Sequence, residues 1–187
     1  MDSNRPVLIC MDLHREFITP GRPWADPDGE RVSKQCSKIM QHGRANAWTL
    51  IHIQLDRDAP FLFRAQLDQI ITGCEPRADE VSLQRAGVSA YSHLDVFDIL
   101  ESLKHRDIYL IGFSAPTSIT HTLFDAKANS HLIKIVESAI GSMDLEDWGA
   151  KYARLLCFDT AKRLERFVSL AALPLCLKDE DSVASPL

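Results

Sequence analysis

Residues 107–118 read DIYLIGFSAPTS, and this stretch decides the fold. An apolar run through Phe113 has the length and content of a buried strand. From Ser114 the chain turns small and polar, and residues 116–129 have helical character. Pro116 suits the first turn of a helix, where its missing N–H has no partner to lose. A strand that runs through a tight turn into a helix is the repeating unit of open α/β sheets. Such sheets place their chemistry at the carboxyl ends of the strands.

The same alternation extends in both directions. Upstream, residues 6–11 (PVLICM) and 48–54 (WTLIHIQ) read as strands. Between them, residues 29–43 carry Val32, Cys36, Ile39 and Met40 at helical spacing. Residues 61–71 suit a short helix, and residues 94–105 put Leu94, Phe97, Ile99, Leu100 and Leu103 largely on one helical face. Downstream, residues 131–137 (HLIKIVE) form a strand and 145–163 a long helix, followed by one more strand or helix. The expected fold is α/β, a three-layer Rossmann-like sandwich with a mostly parallel sheet covered on both faces. An α+β fold would need several adjacent strands, which the chain lacks. Residues 1–187 read as a single domain, with a tail over 178–187 expected to be disordered.

Composition narrows the partners. The chain has 187 residues, 45% of them hydrophobic, which suffices for one full core. A formal net charge of −5 argues against a nucleic-acid partner. No apolar run reaches the ~20 residues needed to cross a bilayer, and the first residues lack a secretory pattern, so no membrane is expected and the cytoplasm is the default. The five cysteines (Cys10, Cys36, Cys74, Cys157 and Cys176) form no CxxC pair and are expected as reduced, mostly buried thiols. No Gly-rich phosphate loop is present, so no nucleotide cofactor is suggested.

Three polar features interrupt strand ends. Asp12 follows VLICM, Gln54 follows LIHI, and the IGFSAPTS turn follows the third strand. All fall where ligands bind in such folds. Each also has a plain structural reading. Asp12 could cap a turn, Gln54 could be one polar residue leaving a sheet, and Ser118 could serve the first turn of a helix.

In combination these residues resemble the isochorismatase-like superfamily, which includes cysteine hydrolases such as nicotinamidases and N-carbamoyl amidases. The resemblance covers about residues 6–170. The family's opening strand, then Asp-x-Gln and soon Phe, is similar to ICMDLHREF; Asp12 and Phe17 match, and His14 replaces Gln. The pattern Lys-x-x-x-Ser-Ala-Phe is similar to RAGVSAY, with Ser89, Ala90 and Tyr91 in place and Arg85 where Lys is expected. Gly-Val-x-x-x-x-Cys is similar to GFSAPTS, so Gly112 matches and Ser118 stands in the cysteine position. The resemblance implies a six-stranded sheet, a homo-oligomer (dimer or tetramer) whose neighbouring subunit often completes a shallow site, and a cis peptide at Phe113–Ser114. Ala115–Pro116 is a competing place for a cis bond.

The substitutions bear on the chemistry. In the amidase branch, Asp deprotonates Cys and the thiolate attacks a carbonyl. A serine hydroxyl is much harder to ionise, and serine hydrolases recruit histidine for it; His14 and His121 are the candidates. In the isochorismatase branch an Asp protonates an enol-ether carbon and water adds, so no sulfur is needed. There, a Gln at the end of the second strand and a later Arg hold the substrate, which Gln54 and Arg64 match. The resemblance thus implies Asp12, Arg85 and Ser118 as catalytic positions. Phe17, Gln54, Arg64, Tyr91, Phe113 and Ser114 would contact a small, anionic substrate. Arginine binds carboxylates through a fork but cannot lend a proton, so an inward-facing Arg85 raises a second expectation: binding without turnover. Zinc-dependent relatives use Asp-x-His; here Asp56, Arg57 and Asp58 offer no histidine, and neither a metal nor another cofactor is expected.

Overall fold

The computed structural model describes residues 5–56, 67–145, 149–169 and 173. Six strands form one sheet: β1 (Val7–Met11), β2 (Thr49–Leu55), β3 (Val81–Arg85), β4 (Ile108–Gly112), β5 (Ile133–Ile140) and β6 (Phe167–Val168). Their order is β3-β2-β1-β4-β5-β6, and every pair is parallel. The chain winds outward from β1 in one direction, then returns to start again at β4. The crevice between β1 and β4 is therefore the topological switch point, where open α/β sheets bind ligands.

Parallel strands covered on both faces must be apolar on both faces. β1 and β4 meet that demand, with every residue of both strands buried. Helix α1 (Gly29–Ala45) packs Val32, Cys36, Ile39 and Met40 against Leu8, Cys10, Leu50 and Ile111. Helices α2 (Leu94–Leu103), α3 (Thr120–Ala128) and α4 (Ala150–Arg163) cover the other face, where Val96, Leu100, Leu123 and Phe158 meet Val7, Ile9, Ile51 and Leu110. Cys10, Cys36, Cys74 and Cys157 are free thiols within these layers; Cys176 lies outside the described residues. Among the described residues no helix is long and apolar enough to cross a membrane.

The structure departs from the sequence reading in five places, one of them the helix expected over 145–163, which begins at Ala150. β3 has no counterpart there, because it is an edge strand with polar residues (VSLQR) and only Arg85 fully buried. The helix expected over 61–71 is not formed over 67–71, where the chain turns and Ile70 bridges to His14; residues 57–66 lie outside the described residues. α3 begins at Thr120 because Ala115–Ile119 form a wider π-type turn. β5 runs to Ile140, with an irregularity in its pairing between Leu110 and Gly112. The tail over 178–187 lies outside the described residues.

Glu80 anchors the edge that carries β3. Its carboxylate accepts from Arg44 of α1 at 2.7 and 2.8 Å, from His52 of β2 at 2.8 Å and from the Arg77 N–H at 2.9 Å. Burial works against its charge, but the hydrogen bonds from Arg44, Arg77 and His52 outweigh it and hold Glu80 at about 2.

Two outcomes follow. A Cβ on Gly112 would sit 1.9 Å from the Met11 carbonyl oxygen, at a φ of +132°. Gly112→Ala should therefore lose about 3 kcal/mol in urea unfolding, against about 1 kcal/mol for Gly21→Ala, where φ is also positive but space is open. Because the folded value of Glu80 is depressed, its contribution is present above its ordinary value of 4.5 and lost as pH falls through about 2. The stability gap between wild type and Glu80→Gln, followed by denaturation at stepped pH, should be widest near neutrality and close toward pH 2.

Candidate functional site

Three strand ends build the site. The chain leaves β1 at Asp12 in the left-handed region, at φ 54°, a conformation Asp adopts more readily than most residues. The Asp12 N–H donates to Ile53 O at 3.1 Å, and its carbonyl accepts from His14 N at 2.9 Å. The bend places a wholly buried carboxylate at the switch point. β3 ends at Arg85, the largest fully buried side chain among the described residues. β4 ends at Gly112, and the Phe113 N–H donates to Met11 O at 3.2 Å, closing the crevice from below.

The turn after β4 is fixed at both ends. Ser114 is left-handed at φ 66°. Its carbonyl accepts from Thr117 N at 3.1 Å and Ile119 N at 3.2 Å, while the Ala115 N–H donates to Gly141 O at 2.9 Å. The wide turn brings Ser118 under Arg85. All described peptide bonds are trans, including Phe113–Ser114 and Ala115–Pro116. The cis bond implied by the family pattern is absent, and the left-handed Ser114 makes the bend instead.

Arg85 binds the cluster together. Its Nη2 donates to Asp12 Oδ2 and to Ser118 Oγ, the latter at 2.8 Å, and its Nη1 donates to Gly87 O. Asp12 Oδ1 and Arg85 Nε are buried without a hydrogen-bond partner. The cluster floors a cavity of about 200 Å³, whose walls include Phe17, Trp24, Leu55, Val88, Ser114 and Thr117.

Of the residues singled out in the sequence, the structure brings Asp12, Arg85, Ser118, Phe17 and Ser114 to this cavity. Others lie elsewhere. Gln54 precedes Leu55 in β2, and alternation turns it to the opposite face of the sheet; Leu55 takes the wall. Tyr91 pairs its hydroxyl with His131 Nδ1 at 2.8 Å, away from the cavity lining. Phe113 is buried beneath the turn, stacked on Phe17 at 5.9 Å between ring centroids. Arg64 lies outside the described residues. Neither candidate histidine lines the cavity: His121 is exposed, with Nδ1 2.8 Å from Thr117 O, and His14 stacks with Phe17 at 6.5 Å between ring centroids. Trp24, Leu55, Val88 and Thr117 were not anticipated. Strand alternation at Leu55 was the one available signal. Among the described residues, no three His, Cys, Asp or Glu side chains converge to hold a metal ion.

The isochorismatase domain pattern matches residues 6–163. The chain belongs to the isochorismatase family. It is 22% identical over 152 residues to YrdC of Bacillus subtilis, described as an uncharacterized isochorismatase family protein, covering 76% of this chain and 79% of that one. Its fold is similar to that of an isochorismatase from Pseudomonas putida (TM-score 0.76, 18% identity, 90% of this chain and 89% of the other). It is equally similar to a cysteine hydrolase from Pseudomonas syringae pv. phaseolicola (TM-score 0.76, 18% identity, the same coverages of 90% and 89%). At these identities the likeness establishes the shared architecture.

A charge pair out of water holds only when both members are present. Arg85→Met should cost about 3–5 kcal/mol in chemical denaturation, because it strands Asp12 in the interior. The double variant Asp12→Leu with Arg85→Met should recover most of that loss, since it removes both ions together.

Proposed function

We propose that this family member is a cofactor-free hydrolase of a small molecule, in which Asp12 handles the proton and no side chain bonds covalently to the substrate. The observation that carries this reading is the buried cluster of Asp12, Arg85 and Ser118 on the cavity floor, with Asp12 Oδ1 unpartnered. A serine nucleophile needs a base strong enough to take its proton. Arg85 occupies one oxygen of Asp12 and also donates to Ser118, and among the described residues no histidine lines the cavity. On this reading Ser118 binds rather than attacks.

Vinyl-ether hydrolysis asks less of the site. Asp12 gives a proton from Oδ1 to the enol-ether carbon. Water adds to the resulting oxocarbenium carbon and returns a proton to Asp12, and the hemiketal collapses to a carbonyl compound and an alcohol. The apolar walls strengthen each of these interactions.

A second reading, a metabolite-binding protein without turnover, is favoured by the ion pair itself. Arg85 Nη2 already holds one oxygen of Asp12 and the hydroxyl of Ser118, so both side chains are engaged before any substrate arrives. We also propose that the protein works as a homo-oligomer, as the family pattern implies.

Isochorismate, chorismate and small amides, screened for product and for thermal shift, separate these readings. Under the first, Asp12→Asn lowers kcat/KM by about a thousandfold or more, while Ser118→Ala lowers it by no more than about tenfold. Complete loss in Ser118→Ala would instead establish a covalent route. Thermal shifts without product across the panel support the binding protein.

A further inference from the structure

The site is shut in the conformation described above. Asp12 is wholly buried, Arg85 and Ser118 nearly so, and Asp12 Oδ1 is out of contact with solvent. A substrate that takes a proton from Asp12 must touch that oxygen, so part of the wall has to move first. The parts of the wall differ in how firmly they are held. Leu55 belongs to a strand. The segment carrying Trp24 is fixed on both sides, by Arg22 on Glu16 at 3.0 Å and by Arg154 on Asp26 at 2.7 Å. Ala86, Gly87 and Val88 close another side, and they lie on a segment, residues 86–92, in which Ala90 alone is buried. Local opening is drawn from segments with few buried apolar contacts.

Polar contacts hold residues 86–92 to the rest of the fold. Arg85 Nη1 donates to Gly87 O, the Ala90 N–H donates to Thr122 Oγ1 at 3.0 Å, and the Tyr91 hydroxyl lies 2.8 Å from His131 Nδ1. The last contact is particular to this chain, because Tyr91 stands where the family pattern has phenylalanine. His131 is a firm anchor. It is wholly buried, its N–H donates to Ala126 O at 2.8 Å, and its carbonyl accepts from Arg166 Nη1. Its ring stacks on that of Tyr91 at 5.8 Å between centroids. His131 Nε2 lies 3.0 Å from Oε2 of Glu101, a partly exposed residue of α2 whose Oε1 pairs with Lys104. A carboxylate only accepts, so Nε2 carries a hydrogen. In a neutral ring Nδ1 is then an acceptor, and the Tyr91 hydroxyl donates to it.

We propose that residues 86–92 are the gate of the cavity and that Tyr91, His131 and Glu101 form the latch that holds it shut. The three are positioning residues. None of them lines the cavity, and they act through Gly87 and Val88, four and three residues before Tyr91. Opening withdraws Val88 from the wall and Gly87 O from Arg85, which loosens the guanidinium over Asp12 and Ser118. Glu101 reaches the surface, so the latch can be released without touching the site. This inference rests on the cavity being the substrate site.

Hydrogen–deuterium exchange of the full chain at pH 7 reads the latch. Tyr91→Phe and Glu101→Ala should each speed exchange over residues 86–92 by about tenfold, with β1 and β4 unchanged. Glu101→Gln keeps an acceptor for Nε2, and Lys104→Ala removes only the surface pair, so both should exchange as wild type does. Glu101 is partly exposed, so its variants remain a test even if Tyr91→Phe fails to fold. Access to the floor is measured separately, by alkylation of position 118 in Ser118→Cys with iodoacetamide, located by peptide mass spectrometry. Adding Glu101→Ala should speed that alkylation by about tenfold, and adding Lys104→Ala should leave it unchanged. Unchanged exchange over 86–92, equal loosening of β1 and β4, loosening by Lys104→Ala, or faster exchange without faster alkylation would each overturn the proposal. Faster alkylation with no turnover of any compound in the panel leaves the gate standing and removes the hydrolase reading. Turnover of a panel compound with alkylation indifferent to Glu101→Ala does the reverse.

Discussion

Arg85 ends β3 and Asp12 follows β1, so their ion pair reaches over the end of β2 along the carboxyl edge of the sheet. The placement explains much of the site. Leu55, the last residue of β2, pairs in register with Arg85 and lies between the two charged residues, so it forms the wall. The pair is wholly buried, and taking two ions out of water opposes folding unless geometry and further hydrogen bonds offset it. Gly87 O and Ser118 Oγ provide those further bonds. The loop after β3 and the turn after β4 are thereby tied to one guanidinium.

That tie requires backbone conformations most residues resist. Asp12 and Ser114 are both left-handed, and Gly112 adopts a φ at which a side chain would collide with Met11 O. These positions flank the switch point on both central strands. Local strain of this kind persists where surrounding structure over-determines it. Here the surroundings are β1 and β4, whose residues are all buried, hydrogen-bonded to each other in register. The rigid centre of the sheet thus holds the site in a conformation its own residues would not select.

The central architecture was legible because those strands are apolar on both faces, and long apolar runs are the least ambiguous signal in an α/β sequence. β3 was illegible for the opposite reason. An edge strand needs to bury little, and Val81, Ser82 and Gln84 are exposed, so the segment reads as loop. Its importance rests on one inward arginine, which single-sequence patterning cannot distinguish from a surface charge. Asp12 drew attention because a polar residue at the end of a buried strand is conspicuous, and Ser118 because it stands in the cysteine position of the family pattern; both line the cavity. Gln54 drew attention by the same rule, but the alternation of strand side chains sends it to the α1 face and gives its neighbour Leu55 to the cavity. Trp24 comes from a Pro- and Gly-rich loop whose course no local pattern foretells. The cis bond implied by the family pattern gave way to a left-handed Ser114, which bends the chain with the Phe113–Ser114 and Ala115–Pro116 peptides trans.

The two departures from the family pattern make sense as one change. Lysine is a point charge on a flexible stem, whereas arginine is a planar fork with five donors. With serine in the cysteine position, the group below the cation is a hydroxyl that readily accepts a hydrogen bond, where a thiol sulfur accepts weakly. An arginine can then bind the carboxylate and the hydroxyl through one nitrogen, as Arg85 does with Asp12 and Ser118. A lysine in its place could also contact both, but without a plane to fix their relative orientation. The guanidinium therefore holds a carboxylate and a hydroxyl in one fixed arrangement on the cavity floor.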